Sequence, residues 1–444
     1  MAITLILIMI FYNRDNELQI LKEVKKASLL SSKMTFVVGR RRIGKTKLIL
    51  KSAENDTFLY FFIARKDEKL LCAEFIEEAQ NKLGIKIFGN IEKFKDLFEL
   101  LITSSKKKPF TLIIDEFQEF NRINPSVFSE LQNIWDINKD NTKLNLILSG
   151  SVYSIMKKIF EHSKEPLFGR ADEKINLKPF NIDVLKQIFK ENSNRYTLKD
   201  FLAFYILTGG VAKYVEIFTD KKAFTLDKML NLIFKENSIF LEEGKNILIE
   251  EFGKDYANYF SILSLIASSK TSRSEIESVL GRNIGGYLDK LENEYNIIKK
   301  LKPILTKEGG RTQKYLIDDN FLNFWFRFVY KYRSAVEIEN FDYLKDIVKR
   351  DFDTFSGTFL EKYFIEKTAL SKEYNLIGNY WEKGNQNEID LIAVNQTTKN
   401  ILIAEVKLNK AKASISVLKE KATKILTKYK KYKVSYKALS IEDM

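Results

Sequence analysis

The 444-residue chain has one cysteine, Cys72, one histidine, His162, and five prolines. A single thiol excludes a disulfide framework within the chain, and a Cys/His zinc site needs more of both ligands than are present. A Ser–His–Asp triad would have to be built on His162, which lies in the loop-like stretch EHSKEPLFGR with no serine-elbow motif to partner it. Any metal is therefore expected to be a hard, oxygen-bound cation such as magnesium. Long hydrophobic runs are lacking as well. The opening MAITLILIMI has no basic flank and no small-residue cleavage site, and about ten apolar residues are too few to span a bilayer. No membrane association is expected, and the cytoplasm is the expected location. Charged FYNRDNEL follows at once, which leaves two readings of the run: a surplus strand or flexible leader, or a segment upstream of a true start at Met9.

Apolar residues make up 45% of the chain and charged residues 30%, as in a folded protein of two to four domains. The net charge of +14 favours contact with a polyanion such as DNA, or else describes a solvated lysine-rich surface.

Residues 36–50 read FVVGRRRIGKTKLIL. An apolar β-branched run suits a buried parallel strand, and KTKLILKSA suits a helix. The eight residues Gly39–Thr46 between them match GxxxxGK[ST] at every fixed position. Backbone N–H groups there must turn inward around phosphates, which needs glycine where a side chain would collide. The backbone of Gly39, Arg42, Ile43 and Gly44 would cradle a nucleotide, Lys45 would reach its β- and γ-phosphates, and Thr46 would give its hydroxyl to magnesium. The middle positions point outward, so Arg40–Arg42 stay solvated or reach toward DNA or a partner subunit.

A phosphate loop needs an acidic strand end beside the magnesium. PFTLIIDEFQEF, residues 109–120, supplies Asp115 to hold the ion through water and Glu116 to orient or deprotonate the attacking water. LNLILSGS, residues 144–151, reads as the strand beside it, with Ser149 or Ser151 close to the γ-phosphate. Arg170, in the later EPLFGR, is a candidate γ-phosphate contact in cis or from a neighbouring subunit, or a surface arginine after a turn.

Taken in order, FYNRDNEL, GRRRIGKT, TLIIDEFQ, LILSGS, EPLFGR and TGGVAKY resemble the landmarks of the archaeal-type ATPases of the STAND branch of AAA+-like P-loop NTPases. The resemblance implies ATP and Mg2+ as ligands, a place for Arg14 near the adenine and ribose, and γ-phosphate sensing at Ser149 or Ser151. The family usually has proline where Ala212 stands.

Residues 180–250 read as successive amphipathic helices, the core and lid of such an ATPase. Residues 256–318 read as three helices and a hairpin around Gly309-Gly310, the order of a winged helix. Its third helix carries Asp289, Glu292 and Glu294, which phosphates would repel. Lys299, Lys300, Lys302, Lys307 and Arg311 lie in the strands and wing. DNA and a protein surface both stand as its partner. FLNFWFRFVYKYR reads as a packing helix, followed by IENFDYLKDIVKRDFD and then a further helix, SGTFLEKYFIEKTAL.

NEIDLIAVN and NILIAEVKL read as antiparallel strands joined by the polar turn QTTKN. Alternation puts Glu405 and Lys407 on one face, and the hairpin brings Asp390 opposite Glu405 or Val406, since sequence leaves the register open by one residue. Two carboxylates and an ammonium that converge can bind a divalent ion and activate water against a phosphodiester; Glu361 on the preceding helix could complete the site. This resembles the PD-(D/E)XK nuclease-like domain that closes many of these ATPases, without the naming proline, and implies a second Mg2+ or Mn2+. The lysine-rich KATKILTKYKKYKVSYK reads as a nucleic-acid contact or a solvated helix face. The expected fold is α/β: a P-loop NTPase core with a parallel sheet (1–175), a helical lid (176–252), a winged helix (253–335) and a C-terminal α/β restriction-endonuclease-like domain (336–444). The expected function is an ATP-binding, ATP-hydrolysing switch that acts on DNA, a protein partner or itself. An ATP-regulated nuclease and a non-hydrolysing scaffold are the alternatives.

Overall fold

The computed structural model describes residues 11–444 apart from 88, 194, 305–312, 383 and 385, with the side chain of 254 also left aside. The opening apolar run up to Met9, the Gly309-Gly310 turn, Lys307 and Arg311 therefore lie outside the described residues. The chain divides into two compact units, one ending at Pro179 and the other spanning Phe180–Met444. No described helix is long and apolar enough to cross a membrane.

The first unit is built on a parallel sheet of β1 (Lys33–Val38), β2 (Phe58–Phe62), β3 (Phe110–Asp115), β4 (Leu144–Gly150) and β5 (Glu173–Asn176), in the order β2-β3-β4-β1-β5. Central β3 and β4 are buried at every position, as a parallel sheet covered on both faces requires. Alternation sends Phe36, Leu112, Ile114, Leu146 and Leu148 into one core, under helices that include Glu68–Leu83, Phe94–Ser104 and Val127–Asn138. Val37, Ile113 and Ile147 go to the other face, against Leu21 of helix Asp15–Ser28 and Leu48 and Ile49 of helix Lys45–Ala53. Cys72 lies in the larger core with no exposed surface.

The second unit starts with helices Ile182–Asn192, Leu198–Thr208, Ala212–Asp220, Leu226–Ile233 and Ile239–Phe252. Helices Tyr256–Ala267, Arg273–Leu280 and Gly285–Asp289 then precede the antiparallel pair β6 (Ile298–Leu301) and β7 (Lys314–Ile317). Ser272 caps the second of these and forms a reciprocal capping box with Glu275. A four-stranded mixed sheet closes the chain: β8 (Leu376–Tyr380), β9 (Ile389–Asn395), β10 (Asn400–Val406) and β11 (Lys433–Leu439), ordered β11-β10-β9-β8.

Two local expectations change. The helix expected at 356–370 starts much earlier and takes in most of the preceding IENFDYLKDIVKRDFD, as one 30-residue helix, Phe341–Leu370. Phe352, Phe359, Leu360, Tyr363 and Phe364 are buried along it, and packing carries it through Ser356-Gly357. The lysine-rich tail is not a single helix face. It forms helix Ile415–Leu426 and then β11, parallel to β10.

Candidate functional site

The loop after β1 is shaped by its backbone. Gly39 has φ +154°, Arg42 +64° and Gly44 +97°, conformations that glycine adopts freely and arginine only under constraint. Ile43 supplies that constraint, because its side chain is buried with Val37, Leu48 and Ile49. Arg41 and Arg42 are exposed. Lys45 is buried, and its ammonium donates to the carbonyl oxygens of Gly39 at 2.8 Å and Arg40 at 3.1 Å.

Alternation decides what else reaches this loop. Ile113 of β3 and Ile147 of β4 pack on the face of helix Lys45–Ala53. Asp115 and Ser149, each two residues on, therefore emerge on that same face. β4 lies between β1 and β3, so the three strand ends converge. The Asp115 carboxylate, 3% exposed, accepts from Thr46 Oγ1 at 2.8 Å and Tyr60 OH at 2.8 Å on one oxygen. Its other oxygen accepts from the Ser149 hydroxyl and, at 3.0 Å, from the Glu116 N–H. Burial, with the adjoining carboxylate, pushes the Tyr60 hydroxyl well above its ordinary pKa.

Glu116 occupies the left-handed region at φ +56°. Its Oε2 accepts from Ser151 Oγ at 2.7 Å and from the Gln118 side-chain amide. Arg14 occupies the N-cap position of helix Asp15–Ser28 without a side-chain capping bond, and donates to the Lys178 carbonyl at 2.8 Å and to Glu17 at 3.3 Å. Arg170 follows helix Tyr153–Glu161 and precedes β5. Its guanidinium bonds to the Phe168 carbonyl and to Asp136 at 3.1 Å, and to no member of the Asp115 cluster.

Tyr60 and Gln118 were not among the residues picked out from sequence. Tyr60 interrupts the phenylalanines of FLYFF, and a polar tip within an apolar strand needs a partner; that was the available signal. Gln118 lies within TLIIDEFQ, but nothing local gives its direction.

In the second unit the β9–β10 register pairs Leu391 with Ala404, which continues to Asp390 opposite Glu405. Asp390 Oδ2 accepts from the Val406 N–H at 2.8 Å and Lys407 Nζ at 3.3 Å. Lys407 lies 3.7 Å from Glu405, which also accepts from the Ser414 N–H at 3.1 Å. Glu361 hydrogen-bonds to neither carboxylate. Burial, then the Asp390 charge, pushes its carboxyl up to about 8. Among the described residues, no group of three or more His, Cys, Asp or Glu side chains is arranged to hold a metal ion. In the β6–β7 pair, Lys299 meets Asp318 at 3.3 Å and Lys300 meets Glu292 at 3.0 Å.

A glycine-bounded loop between a buried strand and a helix, beside an acidic strand end, defines a P-loop nucleotide-binding core. Residues 11–218 match a family of ATPase domains found predominantly in Archaea, and residues 325–425 match a family of archaeal and bacterial proteins of unknown function. The chain is 31% identical over 408 residues to the uncharacterized protein MJECL04 of Methanocaldococcus jannaschii, covering 89% of this chain and 87% of that one. Its fold is similar to that of the Walker-type ATPase PABY2304 of Pyrococcus abyssi, with a TM-score of 0.54, 19% identity, and 71% of this chain and 96% of that chain covered. The chain belongs to the archaeal-type P-loop ATPases and is an ATP-binding ATPase.

Proposed function

We propose that the chain is an ATP-hydrolysing switch whose nucleotide state controls contacts made by its later domains. The division behind this is a core at 1–175, a lid at 176–252, a winged helix at 253–335 and a nuclease-like domain at 336–444. The observation that carries the reading is the convergence of Thr46, Ser149 and Tyr60 on the Asp115 carboxylate. That donor set is all oxygen and fits a hard divalent cation, with Thr46 and Asp115 as its holders. Magnesium, when bound with the nucleotide, supplies neutralisation of phosphate charge.

The remaining roles belong to the chain's own groups. N–H groups of Gly39, Arg42, Ile43 and Gly44 bind phosphate oxygens. Lys45 exchanges the Gly39 and Arg40 carbonyls for the β- and γ-phosphates. Glu116 takes a proton from the attacking water, Ser149 contacts the γ-phosphate, and Arg14 lies toward the nucleoside. Arg170 reaches the γ-phosphate in cis or in trans after leaving Asp136. General-base catalysis contributes about 10²–10⁴ in rate, so Glu116→Gln should bind MgATP normally while turnover falls by at least about 10². Unchanged turnover in that variant would refute the assignment.

A second reading has its own support: Lys407 between Asp390 and Glu405. That grouping suits a metal-dependent nuclease, with Asp390 and Glu405 holding Mg2+ or Mn2+, Lys407 stabilising phosphodiester charge and Glu361 at the margin. Plasmid incubated with Mn2+ should be cut by the native protein and left intact by Glu405→Ala and Lys407→Ala; cutting that persists in both variants would rule the site out. Lys299 and Lys300 of β6 and the C-terminal lysines are the groups offered to DNA; a protein partner, a second copy of the chain included, is the alternative for the same winged-helix module.

A further inference from the structure

We propose that Gln118 is a positioning residue for ATP hydrolysis: its amide holds one oxygen of Glu116 and leaves the other to accept the proton of the attacking water. The inference rests on the reading of Glu116 as the general base. Three observations in the first unit support it.

The first is the pattern of bonds on Glu116. Ser151 Oγ and Gln118 Nε2 both donate to Oε2, and Oε1 accepts no hydrogen bond from any described residue. Two donors on the same oxygen fix the carboxylate and leave both acceptor sites of the other oxygen open. Glu116 itself is partly exposed, so that acceptor can meet water.

The second is what Gln118 gives up. Its side chain is 2% exposed, and its carbonyl Oε1 is buried with no hydrogen-bond donor among the described residues. A carboxylate can only accept, so the amide N–H must face Glu116 and the carbonyl must face the dry side. Leucine or methionine would fill this space without stranding a polar atom. A glutamine is favoured here only for what its N–H does.

The third is the room made for it. At Gly150 a Cβ would collide with Gln118 Oε1 and would lie 2.6 Å from Met156 Cγ. The absent side chain at the end of β4 leaves the space that the amide occupies while it donates to Glu116. Ser151, the next residue, supplies the second donor. One strand end therefore sets both contacts.

In the step itself the water oxygen forms a bond to the γ-phosphorus and its proton passes to Glu116 Oε1. The bond from the γ-phosphorus to the β–γ bridging oxygen breaks, and its electron pair leaves with ADP. Gln118 touches neither water nor nucleotide.

The test uses the full chain with MgATP. Gln118→Met keeps the volume and removes the N–H donor. The expected result is a kcat at least tenfold lower, an ATP Kd within twofold of native by calorimetry, and a Tm that does not fall. In a Glu116→Gln background the same substitution should lower residual turnover no further, because the two residues act as one unit. Gly150→Ala, which displaces the amide from the other side, should reproduce the kcat loss. Native turnover in Gln118→Met would overturn the inference, as would a Tm drop of several degrees that accounts for the lost activity, or an equal loss in both backgrounds. If instead Glu116→Gln turns over ATP normally, the general-base reading fails and the inference with it.

Discussion

At Gly39 there is no space for a side chain. A Cβ would sit 2.7 Å from the Leu177 carbonyl oxygen, and φ is +154°, so Gly39→Ala meets both a collision with backbone and a strained conformation. Strain of this kind costs about 1–3 kcal/mol. The variant should lose that much stability in urea melts and should lose ATP binding by calorimetry, while Arg41→Ala, at an exposed position of the same loop, should keep both. A Gly39→Ala protein with native affinity would show that the loop does not need its present path. Arg42 bears on the same question, since it holds φ +64° next to Ile43, which is anchored in the core.

At the level of elements, the helix Phe341–Leu370 brings Glu361 beside the end of the β9–β10 hairpin. Burial and the charges of Asp390 and Glu388 raise the Glu361 carboxyl from 4.5 to about 8, against Lys407 and Lys314, which lower it. Between about pH 4.5 and pH 8 the folded chain keeps a proton that the unfolded chain has released, so this group lowers stability as pH rises across that window. Glu361→Gln removes the dependence. Its stability relative to native should therefore grow between pH 5 and pH 8 in urea melts and level off above that; a difference independent of pH would show that Glu361 titrates normally.

The same elements separate what was legible in the sequence from what was not. The phosphate loop was legible because all its constraints lie within Gly39–Thr46. Asp115 and Ser149 were legible because a period of two carries a core residue's face to the strand end. The hairpin register needed the structure, since QTTKN fits more than one pairing. Helix Phe341–Leu370 was missed at Ser356-Gly357, where propensity argues for a break and buried aromatics on both sides override it. In β11 the alternation of KVSYKAL was hidden by its lysines. Val434 and Tyr436 pack toward the core, and lysine suits an edge strand, where it discourages further pairing. Gln118 depends on Gly150 of another strand, a relation that spacing along the chain does not encode.

At the scale of the molecule, ligand binding and stability are linked through the first unit. A ligand held only by the folded state at a hundred times its Kd adds about 2.7 kcal/mol. MgATP at that excess should raise the unfolding temperature of the first unit, and Lys45→Ala should abolish the rise. A rise that survives Lys45→Ala would place the nucleotide elsewhere. The division after Pro179 also makes a single unfolding midpoint an unsafe summary, so each unit needs its own probe. The chain already carries one. Cys72 is its sole thiol, closed off in the first core, with its pKa raised to about 12 by burial and by neighbouring acids, Glu68 first among them. Alkylating reagents can reach it only when that core opens. The rate of its modification thus clocks the opening of the first unit's core, with no engineered label.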